Sequence, residues 1–192
     1  MKIQKTMHFV VLCIIIFSVL FMASCKKQGQ IKEIMVMDDT SHLLVYAKLH
    51  DSLTEEMIKL ARVGVPIHCV FYVDFYMEKP YRDARLSQNI IKNVMKYDNV
   101  KRNVYVTTLL NGQQIEISEF QDIDSEKLFM FEISSIPIFT IHGLDKQEKY
   151  YVAIKAKIGK EQSSLLSRYI LIFLPFMEEQ TDWYRKAFIW KN

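Results

Sequence analysis

The sequence predicts a mainly β protein: an antiparallel β-sandwich with one or two short helices, with an α+β fold as the alternative. Several segments alternate apolar and polar residues with a period of two. Turn-forming clusters separate these segments, and helical periodicity is confined to short stretches. The 192 residues are half hydrophobic and include 12 Phe, 10 Tyr and 2 Trp, so a single domain can bury a sizeable core.

The first two strands are predicted to form a hairpin. The segments IKEIMVM (31–37) and SHLLVYAKLH (41–50) flank DDT (38–40), a cluster of turn-forming residues. The second segment alternates cleanly, which is the pattern of a half-buried strand. Its apolar face consists of Leu43, Val45, Ala47 and Leu49.

A helix is predicted in DSLTEEMIKLARVGVP (51–66). Ser52 and Glu55 have the spacing of a capping box, in which two side chains bond the free backbone amides at a helix start. Gly64 and Pro66 are typical of a helix end. The apolar residues that share one helical face are Leu53, Met57, Leu60 and Ala61.

Two long segments follow the helix. IHCVFYVDFYM (67–77) predicts a central strand, because every second residue from Ile67 to Phe75 is apolar. RDARLSQNIIKNVMKYD (82–98) fits helical spacing in part, but its branched residues and the neighbouring β patterns favour a strand.

The next segments predict a hairpin, a helix and a further strand. Asn111-Gly112 lies between two alternating runs, which is a strong signal for a tight hairpin turn. DSEKLFMFEIS (124–134) predicts a short helix that begins at Asp124. EKYYVAIKAKI (148–158) predicts a strand with the apolar face Tyr150, Val152, Ile154, Ala156 and Ile158.

The C-terminal segment contains an apolar run and the predicted last strand, TDWYRKAFIW (181–190). Residues 169–177 are too few to span a bilayer and favour a buried element that closes the core. The alternative is a surface for a partner or for lipid headgroups. In the last strand, Thr and Asp side chains can bond the backbone, while Trp and Tyr point to opposite faces. The candidate interaction or structural residues are therefore Thr181, Asp182, Trp183 and Tyr184.

The N-terminus has the layout of a secretory signal. Lys2 and Lys5 precede an apolar stretch over residues 8–22, and two small residues precede Cys25. This arrangement resembles the signal peptide of bacterial lipoproteins, in which the cysteine thiol receives a diacylglyceryl group. It departs from the usual pattern at Met22, where leucine is commoner. The alternatives are an uncleaved N-terminal helix that anchors the chain, or an ordinary signal.

The resemblance to lipoproteins implies three segments. Residues 1–24 are the expected signal peptide, residues 25–30 the lipidated Cys25 and a short tether, and residues 31–192 a single β-rich domain. Two or more acyl chains hold a protein stably at a bilayer. The expected location is the bacterial cell envelope, with the domain facing the periplasm or the exterior.

Charge and cysteine content exclude several classes of function. The formal charge is +3, and the first 25 residues hold two lysines and no acid, which leaves 3 − 2 = +1 for the body. Nucleic-acid binding needs a clustered basic excess, so we expect no such partner. Only Cys69 of the three cysteines lies in the body, which excludes an internal disulfide, and no Cys/His cluster has zinc spacing. We expect neither a metal nor a cofactor.

The sequence shows no catalytic grouping. His42 and His50 share a strand face about 26 Å apart, at roughly 3.3 Å per residue, which is too far for a common metal. His68 and Cys69 point to opposite faces of a strand, so they do not form a nucleophile and its base. The chain also lacks the phosphate-binding, zinc-protease and serine-nucleophile motifs.

Three patches of the body resemble one family. They are LTEEMIKLARVGVPIHCVFYV (53–73), YYVAIKAKI (150–158) and ILIFLPFMEEQTDWY (170–184). Together they are similar to the bacterial envelope family catalogued as domain of unknown function 4390, over residues 31–190. The resemblance implies an exported β-domain without an established activity. Its marked positions fall in this chain on Gly64, Pro66, Thr181, Asp182, Trp183 and Tyr184.

The sequence therefore predicts an exported, lipid-anchored envelope protein that acts as a non-enzymatic binding or accessory module. Its partners would be the membrane and either another envelope protein or a hydrophobic ligand. One alternative is a periplasmic hydrolase in which His68 or His142 approaches an acid. The other is a sensor or accessory subunit of a membrane kinase or transporter.

Overall fold

The structure is a computed structural model that describes residues 29–50, 54–121, 129–142, 144–160 and 179–190. The expectations for the N-terminal signal, for the 169–177 run, for Ser52 and Leu53 and for a helix start at Asp124 lie outside the described residues. The elements in chain order are β1 (Gln30–Asp38), β2 (His42–His50), α1 (Glu55–Arg62), β3 (Ile67–Met77), β4 (Ala84–Asp98), β5 (Asn103–Leu110), β6 (Gln113–Phe120), a 3₁₀ turn (Phe129–Phe131), β7 (Glu132–Thr140), β8 (Lys149–Lys160), β9 (Glu179–Gln180) and β10 (Tyr184–Ile189).

The strands form two antiparallel sheets that pack as a sandwich, which confirms the predicted fold class. The smaller sheet has the order β1-β2-β7. The larger sheet has the order β10-β8-β3-β4-β5-β6, with β9 pairing with β8. The predicted central strand β3 lies between β4 and β8 and pairs with both over its full length.

The β1–β2 hairpin is confirmed, and its turn is held by one carboxylate. Asp39 Oδ1 accepts hydrogen bonds from the backbone N–H of Ser41 at 3.0 Å and of His42 at 2.8 Å. These two amide bonds hold the pKa of Asp39 below its usual value. Thr40 takes the left-handed backbone, with φ of 77°, which completes the reversal.

Helix α1 is confirmed, and a threonine caps its start. Thr54 is the N-cap residue, and its Oγ1 accepts from the backbone N–H of Met57 at 3.3 Å. A threonine hydroxyl directly before the two glutamates thus bonds one of the free amides at the helix start, whereas the predicted capping box includes Ser52, which is outside the described residues. Gly64, with φ of 86°, ends the helix as expected.

The predicted helix over 124–134 is wrong from residue 132 onward. Residues 129–131 form a single 3₁₀ turn, and strand β7 begins at Glu132. β7 pairs with β2, and this pairing brings Ile133 opposite Ala47, where both side chains are buried in the core. Long-range pairing overrides the weak helical pattern of this short segment.

The core fills the space between the two inner sheet faces. It takes the alternate residues of β2, β3 and β8 that the sequence assigned to apolar faces. Aromatic rings close one end of it, because Phe75 packs against Tyr150 and Phe188 at ring-centre distances of 5.6 and 6.0 Å. Within the part of the chain that the structure describes, no helix is long and apolar enough to cross a membrane.

Side-chain amides of β4 join the two sheets. Asn89 Nδ2 donates to the backbone carbonyl of Ile138 at 2.9 Å. Asn93 Nδ2 donates to the carbonyls of Met130 and Glu132, both at 3.1 Å. Both asparagines are buried, so these bonds pair their amide donors inside the protein and tie β4 to the 3₁₀ turn and β7.

Candidate functional site

A cleft lies on the outer face of the larger sheet, where β3, β8 and β10 run side by side. Alternation along β3 sends Phe75 into the core and its neighbour Asp74 to the outer face. The register places Asp74 opposite Ala153 of β8, and Ala153 opposite Arg185 of β10. These residues form one row across three strands.

A second row and two connecting segments complete the cleft. Tyr76 of β3 lies opposite Tyr151 of β8. Arg82 and Asp83 come from the loop between β3 and β4, and Trp183 comes from the segment before β10. Together with Asp74, Ala153 and Arg185, these five residues line the cleft. Its volume is about 430 Å³, which is within the range of small-molecule sites. We call it the Asp74 cleft.

Asp74 is the deepest polar group of the cleft, with 4% of its surface exposed. Its Oδ2 accepts from the Tyr76 hydroxyl at 3.0 Å and lies 3.6 Å from Arg85 Nη1. Its Oδ1 is buried and receives no hydrogen bond from any described residue. A buried carboxylate oxygen without a donor is costly, so this oxygen is the least satisfied point of the cleft.

Asp83 is fully engaged, in contrast to Asp74. Its Oδ1 accepts from the backbone N–H of Lys79 at 3.2 Å, and its Oδ2 accepts from the Tyr151 hydroxyl at 2.8 Å. One carboxylate of the cleft therefore fixes the loop and a tyrosine, while the other has a buried oxygen without a donor among the described residues.

The two tyrosines form a rigid wall. Their rings stack with centres 4.9 Å apart and planes 13° from parallel. Burial, and then the bond to Asp74, raises the pKa of Tyr76 above its usual value. The same two causes, with Asp83 as partner, raise the pKa of Tyr151 to about 12. Both phenols therefore remain protonated donors at neutral pH.

Two arginines supply positive charge to the cleft. The Arg185 guanidinium lies over the Tyr151 ring, 5.2 Å from its centre, and Arg82 is exposed on the loop. Among the described residues, neither arginine forms a salt bridge with a carboxylate. Their donors can therefore meet an anionic group of a ligand.

The four residues singled out at 181–184 have different roles. Thr181 is buried: its Oγ1 accepts from the backbone N–H of Ala156 at 3.0 Å and donates to the carbonyl of Asp182 at 2.8 Å. Asp182 is exposed, and Tyr184 packs against the core. Trp183 is 47% exposed and lines the Asp74 cleft, so only this member of the four reaches it.

The histidines lie apart from the cleft. His42 is half-buried where β2 begins, and His142 is exposed after β7. His68 is on the outer face of β3, three positions along that face from Asp74, and it does not line the cleft. Burial raises the pKa of the Cys69 thiol far above its usual value, so the thiolate does not form at neutral pH.

The acidic side chains of the cleft do not belong to a metal-binding cluster among the described residues. Among those residues, no group of three or more His, Cys, Asp or Glu side chains could hold a metal ion. Asp74 and Asp83 line the cleft without a third ligand of this kind.

Sequence reasoning missed most of the cleft. Trp183 was singled out, whereas Asp74, Tyr151 and the two arginines were not. One signal was available: an aspartate is unusual in the middle of a strand that is otherwise apolar and aromatic. The remaining residues carry no local signal, because the register between strands brings them together.

A comparison with protein families finds one match. The family model described as "Domain of unknown function (DUF4390)" matches residues 26–186. Among curated proteins and among solved structures, none matches the chain.

Proposed function

The chain belongs to the family described as domain of unknown function 4390, and from that premise we propose that it is an exported, lipid-anchored protein of the bacterial cell envelope. It acts as a non-enzymatic binding module, and the Asp74 cleft is its binding site. The single observation that carries the binding role is the buried Oδ1 of Asp74, which accepts no hydrogen bond from any described residue and belongs to a cleft of small-molecule size.

The N-terminal sequence supports the lipid anchor. Its charged start, apolar stretch and small residues end at Cys25, and the family match begins at the next residue. Five peptide units separate Cys25 from Gln30, the first residue of β1, since 30 − 25 = 5. A chain of that length spans at most about 18 Å, so the tether holds the domain close to the lipid headgroups.

The contents of the cleft favour binding over catalysis. A general base for catalysis at neutral pH is most often a histidine, and none of the described histidines lines the cleft. The phenols are locked to carboxylates as protonated donors. The guanidinium donors of Arg82 and Arg185, one unpaired acceptor on Asp74 and an exposed indole are the groups that can orient and hold a ligand.

The anchor is tested by mass spectrometry of the protein isolated from its natural membrane. We expect an N-terminus at Cys25 that carries acyl chains. A Cys25→Ala variant should leave the membrane fraction or remain as the unprocessed precursor. An N-terminus at the initiator methionine in the natural protein, with unaltered membrane retention of the variant, would contradict the lipid anchor.

The binding role is tested by thermal unfolding of the full chain in detergent with a panel of small molecules. The panel contains amino acids, short peptides, sugars and fatty acids. At least one member should raise the Tm of the natural protein, because a ligand that binds the folded state stabilises it by mass action.

Two variants show whether the ligand uses the cleft. Asp74→Asn should abolish the Tm increase, whereas Asp182→Asn, which removes the same charge from an exposed position, should retain it. A panel without any stabilising member, or a ligand that stabilises Asp74→Asn as much as the natural protein, would contradict a binding site at this cleft.

A further inference from the structure

We infer that the Asp74 cleft takes a zwitterionic ligand of the amino-acid or short-peptide class, with the ligand's ammonium group at Asp74 and its carboxylate at Arg82 and Arg185. This inference rests on the proposed binding function and names the chemistry of that site.

The ammonium position follows from the unpaired acceptor. Asp74 Oδ1 needs a donor, and the Tyr76 hydroxyl already occupies the other oxygen. The nearest cation, Arg85, lies 3.6 Å from Oδ2, and about half of its side chain is exposed. A ligand ammonium supplies both the missing donor and a closer counter-charge for a buried carboxylate.

The carboxylate position follows from the two arginines. No described carboxylate forms a salt bridge with Arg82 or Arg185. A guanidinium presents paired donors that match the two oxygens of a carboxylate. Arg185 is also positioned by the Tyr151 ring beneath it, which reduces the entropy lost when it binds an anion.

The combination favours a ligand that carries both charges. A simple cation at Asp74 would lie in the same cleft as two arginines, and their like charge would repel it. A simple anion would leave Asp74 Oδ1 without a donor and would add a third negative charge to a cleft that already holds Asp74 and Asp83. Separate positive and negative groups on one ligand satisfy both ends of the cleft.

The remaining lining sets the size and character of the ligand. About 430 Å³ exceeds what an ammonium and a carboxylate alone fill. Trp183 exposes nearly half of its surface at the cleft, and an apolar side chain of the ligand can cover its indole ring. A dipeptide with apolar side chains and free ends therefore fits better than glycine.

The experiment is calorimetric titration of the full chain in detergent with a series of related probes. Leucyl-leucine has both charged ends; N-acetyl-leucyl-leucine lacks the ammonium, and leucyl-leucine amide lacks the carboxylate. Free leucine and a neutral disaccharide complete the series. Blocking either end should weaken binding about ten- to hundredfold, the range for a hydrogen bond to a charged group.

Variants assign each end of the probe to its residue. Asp74→Asn should weaken leucyl-leucine and leave the N-acetyl probe unchanged. Arg185→Met should weaken leucyl-leucine and leave the amide probe unchanged. Lys186→Met removes a neighbouring exposed charge that does not line the cleft, and it should change nothing. This pairing of variant and probe is a double-mutant cycle, which isolates each contact from general loss of folding.

The outcomes separate this inference from the proposed function. Binding of free leucine as tightly as the dipeptide would still support a zwitterion and would assign the smaller member of the class. Binding of the disaccharide in preference, with loss in Asp74→Asn, would overturn the zwitterion and retain the binding role of the cleft. The absence of binding by every zwitterionic probe would overturn this inference, and the broader panel would then decide the proposed function.

Discussion

At the scale of single residues, Asp74 departs most from what a stable core requires. It occupies the central strand of the larger sheet, it is almost fully buried, and one of its oxygens lacks a donor among the described residues. Groups that reduce stability and line a cleft are typical of binding sites, because function and stability have different optima. The effect of Asp74 on stability should therefore be measurable without the ligand.

The Asp74→Asn variant should be at least as stable as the natural protein. The amide oxygen can still accept from the Tyr76 hydroxyl, while the buried negative charge disappears, and the exposed Arg85 contributes little. We expect an unchanged free energy of unfolding or a gain of up to about 1 kcal/mol, measured by urea denaturation. Asp182→Asn is the matched control. A loss above about 1 kcal/mol would mean that Asp74 serves the fold.

Thr181 illustrates the opposite case, a polar residue that stabilises the fold. Its hydroxyl bonds the backbone of β8 at Ala156, and the backbone N–H of Thr181 donates to the Ala156 carbonyl at 2.9 Å. Thr181→Val has the same shape but leaves the Ala156 N–H unpaired, so urea denaturation should show a loss of about 1–3 kcal/mol. Thr181→Ser retains the hydroxyl and should lose less than half as much; equal losses for both variants would contradict this role.

At the scale of elements, the alternation of apolar and polar residues with a period of two was sufficient to predict most strands. β2, β3 and β8 bury the apolar faces that the sequence assigned to them. β4 was ambiguous because its inner face carries Asn89 and Asn93 among apolar residues. The side-chain amides of these two asparagines donate to backbone carbonyls of the other sheet. The same polar residues therefore interrupt the apolar alternation of β4 and join the two sheets.

The β5–β6 hairpin carries a prediction of its own. Asn111 and Gly112 confirm the expected turn, with φ values of 51° and 85°. A Cβ on Gly112 would have no atom within 4 Å, so Gly112→Ala tests backbone strain alone. We expect a loss of about 1 kcal/mol in the free energy of unfolding. Gly112→Asn, which tolerates the left-handed region better, should lose less, and an alanine variant as stable as the natural protein would contradict the strain.

At the scale of the whole molecule, the sandwich depends on bonds between its sheets as well as on apolar burial. Asn93→Ala removes donors from two carbonyls, and it should lower the free energy of unfolding by about 2–4 kcal/mol. The control is Asn103→Ala, whose side-chain bond to Glu119 is exposed and should matter little. Similar losses in the two variants would show that the sheets do not depend on Asn93.

The arrangement of strands also explains why the cleft could not be predicted from the sequence. Asp74, Tyr151 and Arg185 are distant in sequence and meet only through the pairing of β8 with β3 and β10. Alternation tells which face a residue occupies but not which residue of another strand lies beside it. The sequence was therefore sufficient for the fold class and for the outward position of Asp74, and insufficient for the neighbours that make it a site.

We propose above all that the Asp74 cleft binds a ligand through Oδ1 of Asp74, which has no donor among the described residues. The most direct measurement is a crystal structure of the protein with the panel member that raises its Tm most. We expect the ligand to occupy the cleft, with a donor within about 3.2 Å of Asp74 Oδ1. An empty cleft with the ligand bound elsewhere would contradict it.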